Sequence, residues 1–219
     1  MSVTDAYLSA AEQAVLLLEA PEVAASWERP SALAELTVGG LAGHLAHQLF
    51  SVGSALRGWA DSAPQESLPQ EAPIPLLDHY GRAAWIDAPL DGEVNAGIRA
   101  RGEDLAAQGA SSLTGLARTS LAEQRTSLAT CPGDRAVFMP QTGWALRLDD
   151  FLVTRMVEIA VHMDDLAVSV GRTVPPLPDA AFDPVLVLLA RLAARRHGQA
   201  ALLRALTRVE RAPAAINAI

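Results

Sequence analysis

The chain has 219 residues, half of them hydrophobic and 19% charged, which excludes long disorder and suffices for one sizeable core, or one domain with a small appendage. A net charge of −8 and a pI near 5.1, with no basic patch or tail, exclude nucleic acid as a natural partner. All 17 cations are arginine, so there is no Schiff-base lysine, and a single Cys131 rules out an intrachain disulfide or a cysteine metal cluster.

The N-terminus, MSVTDAYLSAAEQ, is acidic and amphipathic and does not read as a signal peptide. Thr4 to Glu19 is the first predicted helix, with Ser2 or Thr4 as its cap and Pro21 as its stop. Glu22 to Leu36 reads as a linker. Thr37 caps a second helix that runs to about Asp61, with Val38, Leu41, Leu45, Leu49, Val52 and Leu56 on one face. His44 borders that face at about 100°, while His47, at about 160°, points outward. Gln48 lies between His44 and the apolar centre.

Ser62 to Pro75 is a Pro/Ser/Gln-rich loop, and Leu76 to Trp85 a short helix. Asp91 to Thr130 is helical, bent or broken near Gly109, and Cys131-Pro-Gly-Asp ends it. Arg135 to Pro140 and Trp144 to Leu148 flank Gln-Thr-Gly as a β-hairpin or irregular loop. Asp149 to Gly171 is a greasy helix capped by Asp149 or Asp150. After the stiff TVPPLP connection come helices over Phe182 to Arg196 and Ala200 to Arg208, separated by Gly198. The most apolar run, Val185 to Ala194, is interrupted by Arg191 and too short to span a bilayer. The expectation is an all-α helical bundle in a bacterial-type cytoplasm, with no membrane partner. Residues 1–171 form the bundle, and 172–219 a helical extension packed on the same domain.

The greasy helix carries one narrow polar stripe: Arg155, Glu158, His162 and Asp165, within roughly 80° of one face. Two readings compete. Local Arg–Glu and His–Asp pairs explain the stripe as the wet side of an amphipathic helix, which is the ordinary case. Alternatively, Glu158 and His162, one turn apart, join His44 of the second helix around a metal, a three-ligand set with an open position. His47 is the substitute for His44. Arg82, Arg99 and Arg101 are candidate anion binders, though arginines on an acidic helical protein are usually just surface. His79 reads as solvated, His197 as a helix C-terminal residue, and Cys131 as a turn residue rather than a nucleophile. No GxSxG, P-loop, GxGxxG or CxxC occurs.

Two stretches resemble a known family. SWERPSALAELTVGGLAGHLA is similar to the N-terminal signature of mycothiol-dependent maleylpyruvate isomerase-like proteins of the DinB-like superfamily, and TRMVEIAVHMDDL to their E-x-x-x-H-x-x-D-L helix. Neither motif is specific alone; the pair, in this order and at this distance, carries the resemblance over roughly residues 5–171. The tail ARRHGQAALLRALTRVERAP resembles actinobacterial members more loosely. The resemblance implies a DinB-like four-helix bundle, here with short extra C-terminal helices. It implies a divalent metal, usually zinc, on His44, Glu158 and His162, with Asp165 and Gln48 behind the ligands. Glu158, where many DinB-like relatives carry histidine, points to the mycothiol-dependent branch. The implied partners are a low-molecular-weight thiol, mycothiol, and a small electrophile whose acidic group Arg82 or Arg155 would orient. The family's isomerase carries a further C-terminal α/β domain, whereas residues 172–219 read as helical; a mycothiol S-transferase is therefore as well supported as an isomerase. The competing expectation is a non-catalytic metal-binding module or a helical homodimer of the stress-response type.

Overall fold

The apolar periodicity of the long helices is what builds the core. A computed structural model describes residues 2–60, 72–83, 86 and 92–219. Among them are helices α1 (Val3–Leu18), α2 (Pro21–Ala25), α3 (Val38–Ala60), α4 (Leu76–Arg82), α5 (Glu93–Ala106), α6 (Ala110–Leu128), α7 (Leu148–Ser169), α8 (Asp179–His197) and α9 (Gln199–Thr207). Strands β1 (Ala136–Met139) and β2 (Trp144–Arg147) form an antiparallel hairpin with Ala136 opposite Arg147 and Met139 opposite Trp144. Among the described residues no helix is long and apolar enough to cross a membrane.

Helices α1, α3, α6 and α7 form the four-helix bundle. Its centre is a continuous cluster including Tyr7, Leu18, Leu41, Leu45, Leu49, Leu113, Leu152, Met156 and Ile159. Helix α5 lies along α3, and α8 packs on α1, α4 and α7, contributing Ala181, Val185, Leu188 and Leu192 to the same core. Helix α9 buries none of its residues.

Several expected boundaries hold for the expected reasons. Ser2 caps α1 through a capping box with Asp5, its Oγ accepting from the Asp5 N–H at 3.1 Å. Thr37 caps α3, its Oγ1 accepting from the Gly40 N–H at 2.9 Å. Gly109, at φ 81°, separates α5 from α6 in a left-handed conformation that favours glycine. Other expectations are corrected. Pro21 does not merely close α1; it opens α2, where its missing N–H costs nothing, so the linker contains a short helix. The cap of α7 is Arg147 in extended backbone, with no side-chain hydrogen bond. Asp149 and Asp150 sit in the first turn instead, where carboxylates complement the positive helix end. The loop expected over Ser62 to Pro75 falls mostly outside the described residues, as do Asp61, Trp85 and Asp91 at the ends of expected helices.

Two features fix α3, which carries His44. First, α3 and α5 cross where side chains are absent: a Cβ on Gly43 would run into the Gly102 carbonyl oxygen, and one on Gly102 into the Gly40 carbonyl. Second, Glu103 of α5 accepts from both the N–H of Thr37, at 3.0 Å, and its hydroxyl, at 3.1 Å, so the start of α3 is tied to α5. At the other side of the bundle, the Ile74 N–H donates to the Ala145 carbonyl at 2.9 Å, which brings α4 beside the hairpin.

Gly43→Ala places a methyl against backbone that cannot yield, and is expected to destabilise the protein by about 1–3 kcal/mol. Gly97→Ala, on the open side of α5 with nothing within 4 Å, is expected to be neutral or to stabilise by a few tenths up to about 1 kcal/mol. Urea unfolding of the two variants checks the difference.

Candidate metal centre

Helix α7 presents Glu158, His162 and Asp165 on the face directed at α3, and α3 presents His44 and Gln48 in return. His44 Nε2 lies 3.0 Å from His162 Nε2 and 3.8 Å from Glu158 Oε2, while His162 Nε2 lies 3.4 Å from the same oxygen. The two rings meet edge to face, with centroids 4.4 Å apart at 82°. These three residues form the group of potential metal ligands found among the described residues. Their side chains keep 13–18% of their accessible surface, so the cluster is enclosed but reachable by a small ligand.

The donor set fits a divalent ion. Ligands on a tetrahedral zinc at 2.0–2.2 Å stand roughly 3.3–3.6 Å apart, and the observed separations bracket that spacing. Two imidazole nitrogens and one carboxylate oxygen are donors that zinc accepts. The supporting contacts also fit. His162 Nδ1 lies 3.0 Å from Asp165 Oδ2, so its N–H donates there and its Nε2 is directed into the cluster. Ser169 in turn donates to the Asp165 carbonyl at 2.6 Å and accepts from the Ala32 N–H at 2.8 Å.

Gln48 is buried, and its Nε2 donates to the His44 carbonyl at 3.1 Å. Its Oε1 accepts from Arg155 Nη1 at 2.7 Å. Arg155 also donates from Nε to Thr154 Oγ1 at 3.1 Å and lies over the Phe151 ring at 5.3 Å. The guanidinium is thus held inside the protein beside the cluster. Arg82 is exposed and stacks on Trp144 at 5.9 Å.

Of the other candidates, His47 is half-buried rather than outward, and it stands outside the three-residue group. Burial and the cations Arg101 and Arg155 push its pKa down to about 4. Arg99 pairs with Glu35 at 2.9 Å. Arg101 is exposed. His197 donates to, or accepts through, no part of this centre; its Nε2 lies 2.9 Å from the Asn217 carbonyl. His79 is not solvated: it is 6% exposed and its Nδ1 accepts from Trp144 Nε1–H at 3.1 Å. Sequence spacing gives no sign of that pair, because 65 residues separate its members.

The metal-free charge pattern follows from packing. Burial raises the Glu158 carboxyl, but hydrogen bonds from His162 and His44, together with the Arg155 charge, outweigh it and hold Glu158 well below the usual range. Burial also opposes charge on His162; the Asp165 and Glu158 carboxylates overcome this and raise its pKa to about 9. His44 is pushed down, first by burial and then by the charge of His162. In the metal-free protein the raised His162 stabilises the fold fully below pH 6.5, and that contribution is lost as pH climbs to about 9. The depressed Glu158 stabilises above its ordinary 4.5, and its contribution is lost in acid. Urea midpoints in chelator are expected to fall across the alkaline window, and His162→Ala is expected to flatten that slope.

The family described as the mycothiol maleylpyruvate isomerase N-terminal domain matches residues 7–167. A crystal structure of the mycothiol-dependent maleylpyruvate isomerase is similar to this chain, with a TM-score of 0.52 and 14% identity over 88% of this chain and 72% of that one. A histidine-to-alanine mutant of that isomerase gives 0.53 and 16% over the same shares. No curated protein matches the sequence. The fold is the DinB-like bundle with extra C-terminal helices and a small hairpin. From the match over residues 7–167, the chain belongs to the mycothiol maleylpyruvate isomerase N-terminal domain family.

Proposed function

We propose that the protein is a metal-dependent transferase or isomerase that joins a mycothiol-type thiol to small electrophiles. The observation that carries this is the convergence of His44, Glu158 and His162 at 3.0–3.8 Å, within a family whose description names mycothiol. These three residues would hold the metal, with zinc the best match to two imidazoles and a carboxylate. A divalent metal there supplies a Lewis acid that lowers the pKa of a thiol or water ligand into the neutral range.

The remaining chemistry belongs to the chain's own groups. Asp165 holds the His162 Nδ1 proton, which keeps Nε2 free for the metal and fixes the ring. Gln48 links the Arg155 guanidinium to the His44 backbone, so the positive charge beside Glu158 cannot swing away. Arg155 offsets part of the negative charge of Glu158, which lessens the repulsion a thiolate would meet at the centre. Arg82, braced on Trp144 and open to solvent, is the group suited to an acidic arm of the electrophile. The surrounding apolar core of α1, α3 and α7 limits water on the far side of the ligands. In this reading residues 1–171 form the metal-binding bundle, residues 172–219 close one side of the same domain, and the reaction takes place in the cytoplasm.

Protein purified without chelator is expected to carry about one zinc per chain. His44→Ala and His162→Ala are expected to lose it, and Asp165→Asn to bind it roughly 10–100-fold more weakly. Turnover of mycothiol with a maleyl-type electrophile is expected to follow metal content across this series. Metal content that is substoichiometric and indifferent to His162→Ala would instead favour a non-catalytic module.

A further inference from the structure

Helix α8 lies beyond residues 7–167, the segment that matches the family. Its inner face carries Ala181, Val185, Leu188 and Leu192 into the bundle. Its outer face is apolar as well: Phe182, Leu186 and Val187 are 46%, 50% and 57% exposed. Apolar residues on both sides of a helix are the pattern of a helix covered on both sides. Val187 also borders a groove of about 420 Å³ between α8, α4 and the start of α7, with Pro75, Leu76, Val153 and Leu188 among its apolar walls.

The charges on this face indicate what covers it. Asp179, Asp183, Val187, Arg191 and Arg195 recur every four residues, and all five are exposed. They form one stripe about 24 Å long at 1.5 Å per residue. The stripe is antisymmetric about Val187, with two carboxylates on one side and two guanidinium groups at the same spacings on the other. A helix ordinarily favours acid at its start and base at its end, which accounts for part of that order. It does not account for three exposed apolar side chains in the same stretch. Nor do Asp183 and Arg191 meet within one helix, because eight residues, about 12 Å, separate them. An antiparallel second α8, related by a two-fold axis at Val187, sets Asp183 against Arg191 of the other copy and Asp179 against its Arg195, twice over. Arg195 is partly engaged within its own chain, donating to the Leu77 carbonyl at 3.0 Å and lying 3.5 Å from Asp78, so the Asp183–Arg191 pairs are the principal ones. The adjoining stripe of Phe182, Leu186 and Ala190 meets itself across the same axis, where the small Ala190 leaves room for the Phe182 ring.

We propose that this face of α8 docks a second copy of the chain as an antiparallel, isologous helix pair. The two charge signs balance along the stripe, so its own reverse complements it better than a uniformly acidic or basic partner does. Apolar contact at the centre supplies the attraction, and the flanking charges fix direction and register. A parallel pair would instead set Asp183 against Asp183 and Arg191 against Arg191. One helix pair with its groove is a small interface, so the dimer is a weak one, formed at micromolar concentrations. The surface stands apart from the metal centre and holds whether or not that centre is catalytic.

Sedimentation velocity of the full chain, from low micromolar to millimolar concentration, tests it. The wild type is expected to show a reversible monomer–dimer equilibrium. Asp183→Arg and Arg191→Asp are each expected to weaken self-association about tenfold or more, because each sets like charges across the axis twice. Mixed in equal amounts, the two variants are expected to associate with each other, since every cross pair is then Arg against Asp. Misfolding cannot produce that rescue, and the circular dichroism of each variant is expected to match the wild type. Leu186→Ser is expected to weaken the dimer, whereas Leu206→Ser, at a 72% exposed position of α9, is expected to leave it unchanged. A wild type that stays monomeric at millimolar concentration, a dimer indifferent to both charge reversals, reversed variants that fail to associate on mixing, or a dimer lost in Leu206→Ser but not in Leu186→Ser would overturn the proposal.

Discussion

A carboxylate held between two imidazoles inside a helical bundle governs this molecule. Glu158 is surrounded by His44, His162 and Arg155, and an ionised carboxylate in such surroundings would cost several kcal/mol if left uncompensated. Compensation requires α3 and α7 to keep the spacing that leaves Glu158 3.8 Å from His44 and 3.4 Å from His162. In the metal-free state a proton on His162 supplies the balancing charge. A divalent ion on the same three groups would supply that balance with more charge, in place of the proton.

Much of the fold serves that spacing. The glycine crossing of α3 and α5 sets the height of His44, and Glu103 ties the first turn of α3 to its neighbour. Ser169 links Asp165 to the segment before α3, so the end of α7 and the linker move together. Gln48 connects the backbone of His44 to Arg155, the cation beside Glu158. These are polar contacts at the margins of an apolar bundle, which is how a buried site is made specific without loosening the core.

What could be read from the sequence depended on how local the cause is. The helix faces, the Ser2 and Thr37 caps and the break at Gly109 depend on neighbours a few residues away, and they were legible. So was the grouping of Glu158, His162 and Asp165, which one helical period brings together. That the stripe turns inward toward His44 was not decided by spacing; an amphipathic helix with a wet face has the same pattern, and only the packing of α3 against α7 separates the two. His79 illustrates what stays hidden. Its partner Trp144 lies on a hairpin far along the chain, and the Ile74–Ala145 backbone contact brings the two segments side by side. The cap of α7 is not legible locally: Asp149 and Asp150 look like capping residues, whereas the hairpin delivers Arg147 in extended backbone directly into the helix.

The central claim is that α3 and α7 jointly hold one metal ion. X-ray absorption at the zinc edge, on protein purified without chelator, tests it most directly. The account predicts a shell of nitrogen and oxygen neighbours at about 2.0–2.2 Å with the outer scattering of two imidazoles, reduced to one in His44→Ala. A shell without imidazole scattering, or one unchanged by that substitution, would contradict it.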